Sequence, residues 1–275
     1  MIEEVEGELK IKGRGISKGK VKGSVIKSLL PLSFSDDINL ENSEVLPPES
    51  EIFGTQIKER IFVLPYTKHS ADYPDVLTKL KERNLQPIAL VSESLDMHVV
   101  QDAINSEIPA VDRIDINLLE TGDDIDVNGT NGTVNLRNVL LKKITTSVIL
   151  SKDKILILKR SDDVSTYKGR WACVSGYIEK GETADETARR EISEELGLEK
   201  EDLDFIRKGK VLYARDKTLL WAIHPFLFEA KKPEIELDWE HIQFKWILPE
   251  EIKDYETVPK LKEAIESVLS EGKSE

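Results

Sequence analysis

The stretch from Gly176 to Leu198 constrains the fold of this chain more than any other part of its sequence. Thr183 and Glu186 have the spacing of a capping box, and Gly197 lies where a helix would end. Between these signals, small or apolar side chains recur every four residues, at Ala184, Ala188, Ile192 and Leu196. The pattern predicts one helix that packs a single apolar face against a hydrophobic core.

The same helix carries three glutamates, Glu191, Glu194 and Glu195, at helical positions i, i+3 and i+4. Their carboxylates converge on one face, where like charges destabilise an isolated helix. A solvated acidic surface is the simplest interpretation of three glutamates alone. A hard cation such as Mg²⁺, which takes oxygen ligands and is often shared with substrate phosphates, would instead make this face a binding site.

Fixed residues around the glutamates favour the binding site. Their order is Gly176, Glu182, Arg190, Glu191, Ile192, Glu194, Glu195, Gly197 and Leu198. In these residues and spacings the stretch resembles the Nudix box, and the second half of the chain is identified as a member of the Nudix hydrolases. The resemblance implies an α/β/α sandwich with a mixed sheet. It also implies that water attacks phosphorus in a nucleoside diphosphate linked to another group, with Mg²⁺ or Mn²⁺ as cofactor.

The resemblance also implies roles for individual residues. The metal ligands would be the Gly176 carbonyl, Glu191 and Glu195, with Glu194 as a third ligand or as the general base. Arg190 would pair with and orient a glutamate, and Glu182 would support the metal shell through water.

Outside the box, the Nudix resemblance points to three further candidates. Arg160 follows a predicted strand and would reach the substrate phosphates, although a surface arginine is nearly as good an interpretation. Glu240 is the candidate for an additional catalytic glutamate, in competition with Glu234 and Glu236. Trp239 is a candidate for stacking on a nucleobase, as are Trp221 and Phe226, although such aromatic residues more often belong to a core.

The first half alternates short β-type runs with two helix-like segments, which predicts a compact α/β unit. It resembles the swivelling domain of aconitase X proteins, known in archaea as the small subunit of phosphomevalonate dehydratase, and this implies a β/β/α fold. The matching stretches are GRGISKGKVKG at Gly13–Gly23, PLSF at Pro31–Phe34, RIFVLP at Arg60–Pro65, IPAVDRID at Ile108–Asp115 and TGDDIDVNGTNGTV at Thr121–Val134.

Two departures from that family bear on activity. Asp36 and Asp37 stand where relatives carry a glycine pair, and residues 66–70 replace a glycine-rich serine loop. Ser70 falls in register with the serine that works in the dehydratase, but glycines that would admit an anionic substrate are missing. A scaffold or regulatory role is therefore favoured for this half. His69 and His98 are isolated in the sequence, where surface or capping roles are expected.

The two resemblances predict domains at residues 1–138 and 141–275. No Gly/Ser-rich linker separates them, so direct packing or a short extended connection is expected. In the second domain, Thr145–Leu150 and Lys154–Lys159 are predicted to form a hairpin. One strand is predicted over Phe205–Ala214, and a closing helix over Val258–Leu269.

Composition excludes several classes of function. A net charge of −13 argues against broad nucleic-acid or membrane binding, since both surfaces are anionic. The sequence shows no apolar run long enough to span a membrane and no signal peptide, and its single cysteine, Cys173, suits a reducing cytoplasm. Cys173 lies in a strand-like run and is predicted to be buried.

These features favour an enzyme, a metal-dependent diphosphohydrolase acting on a small-molecule diphosphate. The fusion adds the more specific option of an isoprenoid intermediate or its diphosphate. One alternative is a nucleotide-sensing protein whose swivel domain docks on a partner. Another is a dehydratase small subunit with an accessory Nudix domain, paired with a large subunit. All the box glutamates are present, which favours catalysis over the sensor alternative. The sequence leaves open whether the chain forms a homodimer.

Overall fold

The computed structural model describes residues 2–5, 8–69, 75–216, 219–232 and 234–270. Contacts divide the chain into two compact units, Met1–Leu140 and Leu141–Glu275. Each unit combines a β-sheet with helices, which confirms the predicted α/β class. No helix in the described ranges is both long and apolar enough to cross a membrane.

The first unit is built around a sheet with both parallel and antiparallel neighbours. Its strands are β1 (Ile2–Val5), β2 (Glu8–Lys12), β3 (Arg14–Ser17), β4 (Lys20–Lys27), β5 (Ile61–Tyr66), β6 (Ala89–Ser94), β7 (Ala110–Asp112), β8 (Asp124–Asn128) and β9 (Thr133–Leu136). Its helices are α1 (Phe34–Asp37), α2 (Val76–Glu82) and α3 (Met97–Asn105). The strand order is β1-β2-β9-β8-β4-β5-β6-β7-β3, with parallel pairing from β4 through β7.

The parallel strands are buried because their residues are apolar on both faces, as parallel sheets require. Ile61, Phe62, Val63 and Leu64 of β5 have no exposed surface. A buried aspartate of α3 connects the two longer helices. The carboxylate of Asp102 accepts hydrogen bonds from the backbone N–H of Leu77 at 2.6 Å and of Thr78 at 3.1 Å. It thereby caps the first turn of α2, whose own N-cap residue makes no side-chain capping bond.

The two segments that depart from the aconitase X pattern meet in this unit. Asp37 accepts a hydrogen bond from the Ser33 backbone N–H at 2.8 Å, and its carboxylate lies 3.4 Å from Lys68 Nζ. Asp37, the second of the two aspartates that replace a glycine pair, therefore stabilises α1 and contacts the loop after β5. Ser70, the candidate serine, lies outside the described residues.

The second unit has a sheet of the order β12-β11-β10-β15-β13, with β14 paired to β15 and β16 to β11. The strands are β10 (Leu140–Ser151), β11 (Lys154–Arg160), β12 (Trp171–Ala172), β13 (Leu203–Lys208), β14 (Leu212–Asp216), β15 (Leu219–Ala230) and β16 (His241–Ile247). The helices are α4 (Ala184–Leu196) and α5 (Leu261–Leu269). The predicted hairpin is present, with Lys152 and Asp153 both at positive φ in its two-residue turn.

Alternating side chains of this sheet form two separate cores, which gives the predicted sandwich. Leu156 and Leu158 of β11 pack with Ile192 and other residues of α4. Ile155 and Ile157, one residue out of phase, pack with Ile265 and other residues of α5. Since successive side chains of a strand point to opposite faces, one apolar strand supports a helix on each side.

The prediction of one strand over Phe205–Ala214 is wrong, because two strands occupy this stretch. β13 pairs with the end of β15 and β14 pairs with its beginning. The break falls at Gly209, whose N–H bonds to the carbonyl of Pro225 at 2.9 Å. A Cβ on Gly209 would approach Ser267 of α5, so glycine allows the chain to bend close to the helix.

The prediction that the closing helix starts at Val258 is also wrong, since α5 begins at Leu261. Pro259 disfavours helical backbone at the residue before it. Lys260 then adopts a left-handed conformation, with φ of 63°. The helix therefore starts only after these two residues.

Cys173 is buried, as predicted. Burial, with a smaller effect of Glu195, raises the pKa of its thiol to about 12. The protonated thiol is a poor nucleophile, so Cys173 serves as a small core residue.

Candidate active site

The helix that carries the glutamates is fixed at both ends as the sequence predicts. Thr183 Oγ1 accepts the N–H of Glu186 at 3.3 Å, and Glu186 Oε2 accepts the N–H of Thr183 at 2.8 Å. Gly197 ends α4 in the left-handed conformation, with φ of 66°. Ala188, Ile192 and Leu196 are buried against the sheet. The acidic face flanks this buried stripe, and its Glu191 lines the cleft described below.

Arg190 connects three glutamates. Its guanidinium donates two hydrogen bonds to Glu182, at 3.1 and 3.2 Å, and lies 3.0 Å from Glu194 Oε2 and 2.8 Å from Glu191 Oε1. Hydrogen bonds from Arg190, and then from Thr187, lower the pKa of Glu182 to about 2. Glu182 is thus anionic, and its carboxylate is hydrogen-bonded to Arg190 and Thr187. Arg190 also holds Glu191 and Glu194 beside each other.

Glu191 lies under the loop that precedes α4. A Cβ at Gly176 would overlap the carboxyl group of Glu191, so glycine is needed for this close approach. The Gly176 carbonyl accepts the Thr145 N–H at 2.9 Å, and a carbonyl oxygen has a second lone pair with which to bind a cation. Burial raises the pKa of Glu191, with Arg190 opposing the shift and Glu194 and Glu240 adding to it.

Glu195 is the most deeply buried of the three helix glutamates, with a side chain 4% exposed. Its Oε1 accepts the Ser175 N–H at 3.2 Å, while its Oε2 has no hydrogen-bond partner among the described residues. Burial raises the pKa of Glu195 well above its ordinary value. The Ser175 bond opposes this shift, and the nearby carboxylates of Glu191, Asp238 and Glu240 reinforce it.

His241 lies behind Glu195. Its Nδ1 is 3.6 Å from Glu195 Oε2 and 3.1 Å from Asp238 Oδ1. Burial lowers the pKa of His241 despite the hydrogen bond to Asp238. The lowered pKa favours the neutral imidazole, which does not offset the negative charge of the buried carboxylates.

The three candidate glutamates of the last loop occupy different places. Glu240 lines the cleft, and burial together with Asp238 raises its pKa, with Arg160 opposing. Glu236 instead donates its backbone N–H to the Leu196 carbonyl at 3.0 Å, at the far end of α4. Glu234 is exposed. The geometry thus separates Glu240 from the other two.

These elements enclose a cleft of about 470 Å³ within the second unit. Seven of the residues proposed from the sequence line it: Arg160, Gly176, Arg190, Glu191, Trp221, Trp239 and Glu240. Its apolar wall includes Trp221 and Ile223, and the Trp239 side chain is exposed. Glu182 and Glu194 join the site through Arg190, and Glu195 through the Ser175 N–H.

The arrangement fits a divalent cation. Glu191 and Glu195 are carboxylates held in a poorly solvated place, and Glu195 Oε2 is a buried acceptor for which the described part of the chain supplies no donor. Burying an unpaired charge is costly, and a bound cation removes that cost. Oxygen ligands are those that Mg²⁺ and Mn²⁺ prefer.

Sequence reasoning missed several residues of this site. It did not assign Asp238 to the wall behind Glu195 or place Lys260 in the cleft lining. Lys260 enters the cleft because the turn after Pro259 delays the start of α5. Lys260 is far from the box along the chain, so the sequence gave no reason to assign it to this site. The one local signal in the sequence was the proline that precedes it.

Comparison with known proteins divides the chain in the same way. Residues 10–136 match the family described as Aconitase X swivel domain, and residues 141–268 match the NUDIX domain. The phosphomevalonate dehydratase small subunit of Thermococcus sibiricus is 34% identical over 128 residues, which cover 46% of this chain and 98% of that protein. The corresponding subunit of Methanocaldococcus jannaschii is 35% identical over 130 residues, with coverage of 47% and 99%.

Solved structures resemble each half. An aconitase X structure from Thermococcus kodakaraensis is 38% identical, with a TM-score of 0.45, over 46% of this chain and 97% of that one. A MutT protein from Methanosarcina mazei is 22% identical, with a TM-score of 0.41, over 46% of this chain and 92% of that one.

The glutamates and glycines of the predicted Nudix box therefore lie within the residues that match the NUDIX domain. Residues 10–136, earlier in the chain, match the swivel domain. The chain belongs to the aconitase X swivel family through its first half, and its second half carries a NUDIX domain, the domain of hydrolases that act on pyrophosphate bonds.

Proposed function

We propose that the second unit hydrolyses the diphosphate of a nucleoside diphosphate linked to another group, in a reaction that depends on Mg²⁺ or Mn²⁺. The observation that carries this proposal is the buried Glu195 carboxylate, whose Oε2 has no hydrogen-bond donor within the described ranges, beside Glu191. A carboxylate pair of this kind is unfavourable unless a cation or a proton neutralises it.

Glu191, Glu195 and the Gly176 carbonyl would hold the cation, with Glu194 as a further ligand. The bound cation would neutralise phosphate charge and lower the pKa of the attacking water. Arg190, held by Glu182, keeps Glu191 and Glu194 in place before the substrate arrives. When the side chains of a site are already ordered, less free energy is needed to order them during the reaction.

Glu194 and Glu240 are the candidates for the general base. Glu194 is the more exposed of the two, and its Oε2 accepts a hydrogen bond from Arg190 at 3.0 Å. Glu240 has a raised pKa, so it is better suited to accept a proton near neutral pH. Arg160, whose charge opposes the pKa shift of Glu240, would contact the leaving phosphate from the same side of the cleft.

The remainder of the substrate would lie along the apolar wall. The Tyr177 and Trp221 rings are 5.9 Å apart, and Trp239 is exposed near the same cleft. Flat aromatic faces bind a nucleobase by stacking. A branched hydrocarbon chain would also fit apolar residues, so an isoprenoid diphosphate is the second substrate class to test.

The experiment is a panel of nucleoside diphosphate sugars, dinucleoside polyphosphates and isoprenoid diphosphates, each incubated with the full chain and Mg²⁺ or Mn²⁺. We expect phosphate-containing products from at least one nucleoside diphosphate derivative. Binding of a nucleotide without turnover by any substrate would favour the sensor alternative.

A second role is proposed for residues 10–136, because they match nearly the full length of a dehydratase small subunit. We propose that this unit docks on a dehydratase-type large subunit in the cytoplasm, as a scaffold rather than as an active half. Co-elution of the purified chain with such a subunit from the same organism tests this role, and separate elution contradicts it.

The proposed functional domains are residues 1–138 and 141–275. Limited proteolysis of the full chain should yield two stable fragments divided near this boundary. Early cleavage inside either domain would argue against that division.

A further inference from the structure

Two histidines that are isolated in the sequence meet in the first unit. His69 lies three residues after β5, and His98 lies in the first turn of α3, which follows β6. β5 and β6 are parallel neighbours, so their carboxyl ends lie at the same edge of the sheet. Open α/β sheets commonly bind ligands at that edge.

Asp96 completes a cluster with the two histidines. His69 Nδ1 lies 3.1 Å from Asp96 Oδ2, and the two imidazole rings are 5.5 Å apart. One potential ligand atom from each of the three side chains lies within 4.8 Å of the others. Ligand atoms around a tetrahedral ion with bonds of about 2.1 Å are roughly 3.4 Å apart, so small side-chain rotations would close the site.

The backbone around the cluster is held in place by hydrogen bonds. The Asp96 N–H donates to Thr67 Oγ1 at 2.6 Å, and this ties the loop of His69 to the start of α3. Asp96 Oδ1 accepts the His98 N–H at 2.9 Å as the N-cap of the helix. The second oxygen of Asp96 is thus directed to His69 while the first fixes the carboxylate.

The charge of Asp96 suits a cation. Its Oδ2 lies beside the His69 ring and its Oδ1 accepts the His98 N–H, so the carboxylate stands at the start of α3, where a negative charge offsets the positive end of the helix dipole. The His69 side chain is 68% exposed, which leaves the cluster open to ions from solution.

We propose that His69, Asp96 and His98 form a second metal site, specific for an imidazole-binding ion of the Zn²⁺, Co²⁺ or Ni²⁺ class. Neutral imidazole is a good ligand for these ions, whereas Mg²⁺ prefers sites made of oxygen alone. The chain thus carries two sites of different ligand chemistry, one in each unit. Three protein ligands leave a coordination position for water or another molecule.

The test is a calorimetric titration of the metal-free full chain with Zn²⁺ in the presence of excess Mg²⁺, which competes for the glutamate cleft. We expect one more equivalent of Zn²⁺ bound by the natural chain than by a double variant with His69→Gln and His98→Gln. Far-ultraviolet circular dichroism without metal verifies that the double variant is folded. Co²⁺ should give a visible absorption band that the double variant lacks.

Two further variants separate metal binding from helix capping. Asp96→Asn keeps an N-cap but removes the negative charge, so it should weaken Zn²⁺ binding at least tenfold. Asp115→Asn is the matched control, because Asp115 accepts the Asn117 N–H in the same capping role. We expect Asp115→Asn to bind Zn²⁺ as the natural chain does.

The result must not depend on the glutamate cleft. Glu195→Gln should retain the histidine-dependent equivalent of Zn²⁺, even if it loses all diphosphate hydrolysis. The double histidine variant should keep the Mg²⁺-dependent hydrolysis of the natural chain. Equal Zn²⁺ stoichiometry in the natural chain and the folded double variant would overturn the proposal.

Discussion

Arg190 binds Glu182 through two hydrogen bonds while the same guanidinium reaches Glu191 and Glu194. Glu182 therefore fixes the arginine, and the fixed guanidinium positions Glu191 and Glu194, two of the proposed functional glutamates. Lysine offers one point charge in place of this planar fork. We expect Arg190→Lys to lower kcat roughly 10- to 100-fold with little change in thermal stability. Steady-state kinetics and a melting curve check this, and unchanged kcat would contradict it.

The Arg190–Glu182 pair also predicts a pH dependence of stability. The pKa of Glu182 falls from 4.5 to about 2, so the pair stabilises the fold fully above pH 4.5 and is lost as the pH falls towards 2. Urea unfolding of the natural chain and of Glu182→Gln should differ most near neutral pH and converge as the pH falls towards 2. A difference that grows on acidification would be opposite in sign to this account.

Metal should reverse the stability ranking of a Glu195 variant. The pKa of Glu195 is raised in the folded chain, so ionisation of this carboxyl group destabilises the metal-free fold. The stability that the protonated carboxyl group contributes is therefore lost as the pH rises. Without metal at pH 8, Glu195→Gln should melt at or above the temperature of the natural chain. Addition of Mn²⁺ should raise the melting temperature of the natural chain and leave that of the variant nearly unchanged.

Glu240 and Glu236 provide a matched pair for catalysis. Glu240 lines the cleft, whereas Glu236 lies beside the end of α4, so only Glu240→Gln should reduce turnover. We expect a loss on the order of 100-fold if Glu240 is the base, with the pH-rate profile altered. Equal rates for the two variants in a product-release assay would remove Glu240 from the reaction and leave Glu194 as the candidate.

A single methyl group at Gly176 should disable the site. The added Cβ would occupy the place of the Glu191 carboxyl group, which must then move away from the proposed metal position. We expect Gly176→Ala to lose turnover about 100-fold, as expected when metal support is lost. A variant with full activity at low Mn²⁺ would show that Glu191 does not need this close approach.

The box helix was predictable because its signals are local. Capping at Thr183, the stop at Gly197 and the apolar stripe ending at Leu196 act within a few residues, and the helical period alone places the glutamates on one face. That Glu195 Oε2 lacks a hydrogen-bond donor in the described part of the chain was not predictable, since its surroundings depend on His241 and on the pairing of β16 with β11.

Contacts distant in sequence account for the other misses. The break at Gly209 depends on Pro225 in the neighbouring strand, and the sequence alone gave no register for that pair. His69 and His98 meet only because β5 and β6 are parallel neighbours. Isolated residues of this kind become informative when the order of the strands is known.

Hydrolysis in ¹⁸O-labelled water tests the central claim most directly, with the full chain, a nucleoside diphosphate-linked substrate and Mg²⁺. The account predicts one ¹⁸O atom in a phosphate product of the natural chain, no product after chelation of the metal, and a rate at least about 100-fold lower for Glu195→Gln. Label in the non-phosphate product, or a rate indifferent to both chelation and Glu195→Gln, would contradict it.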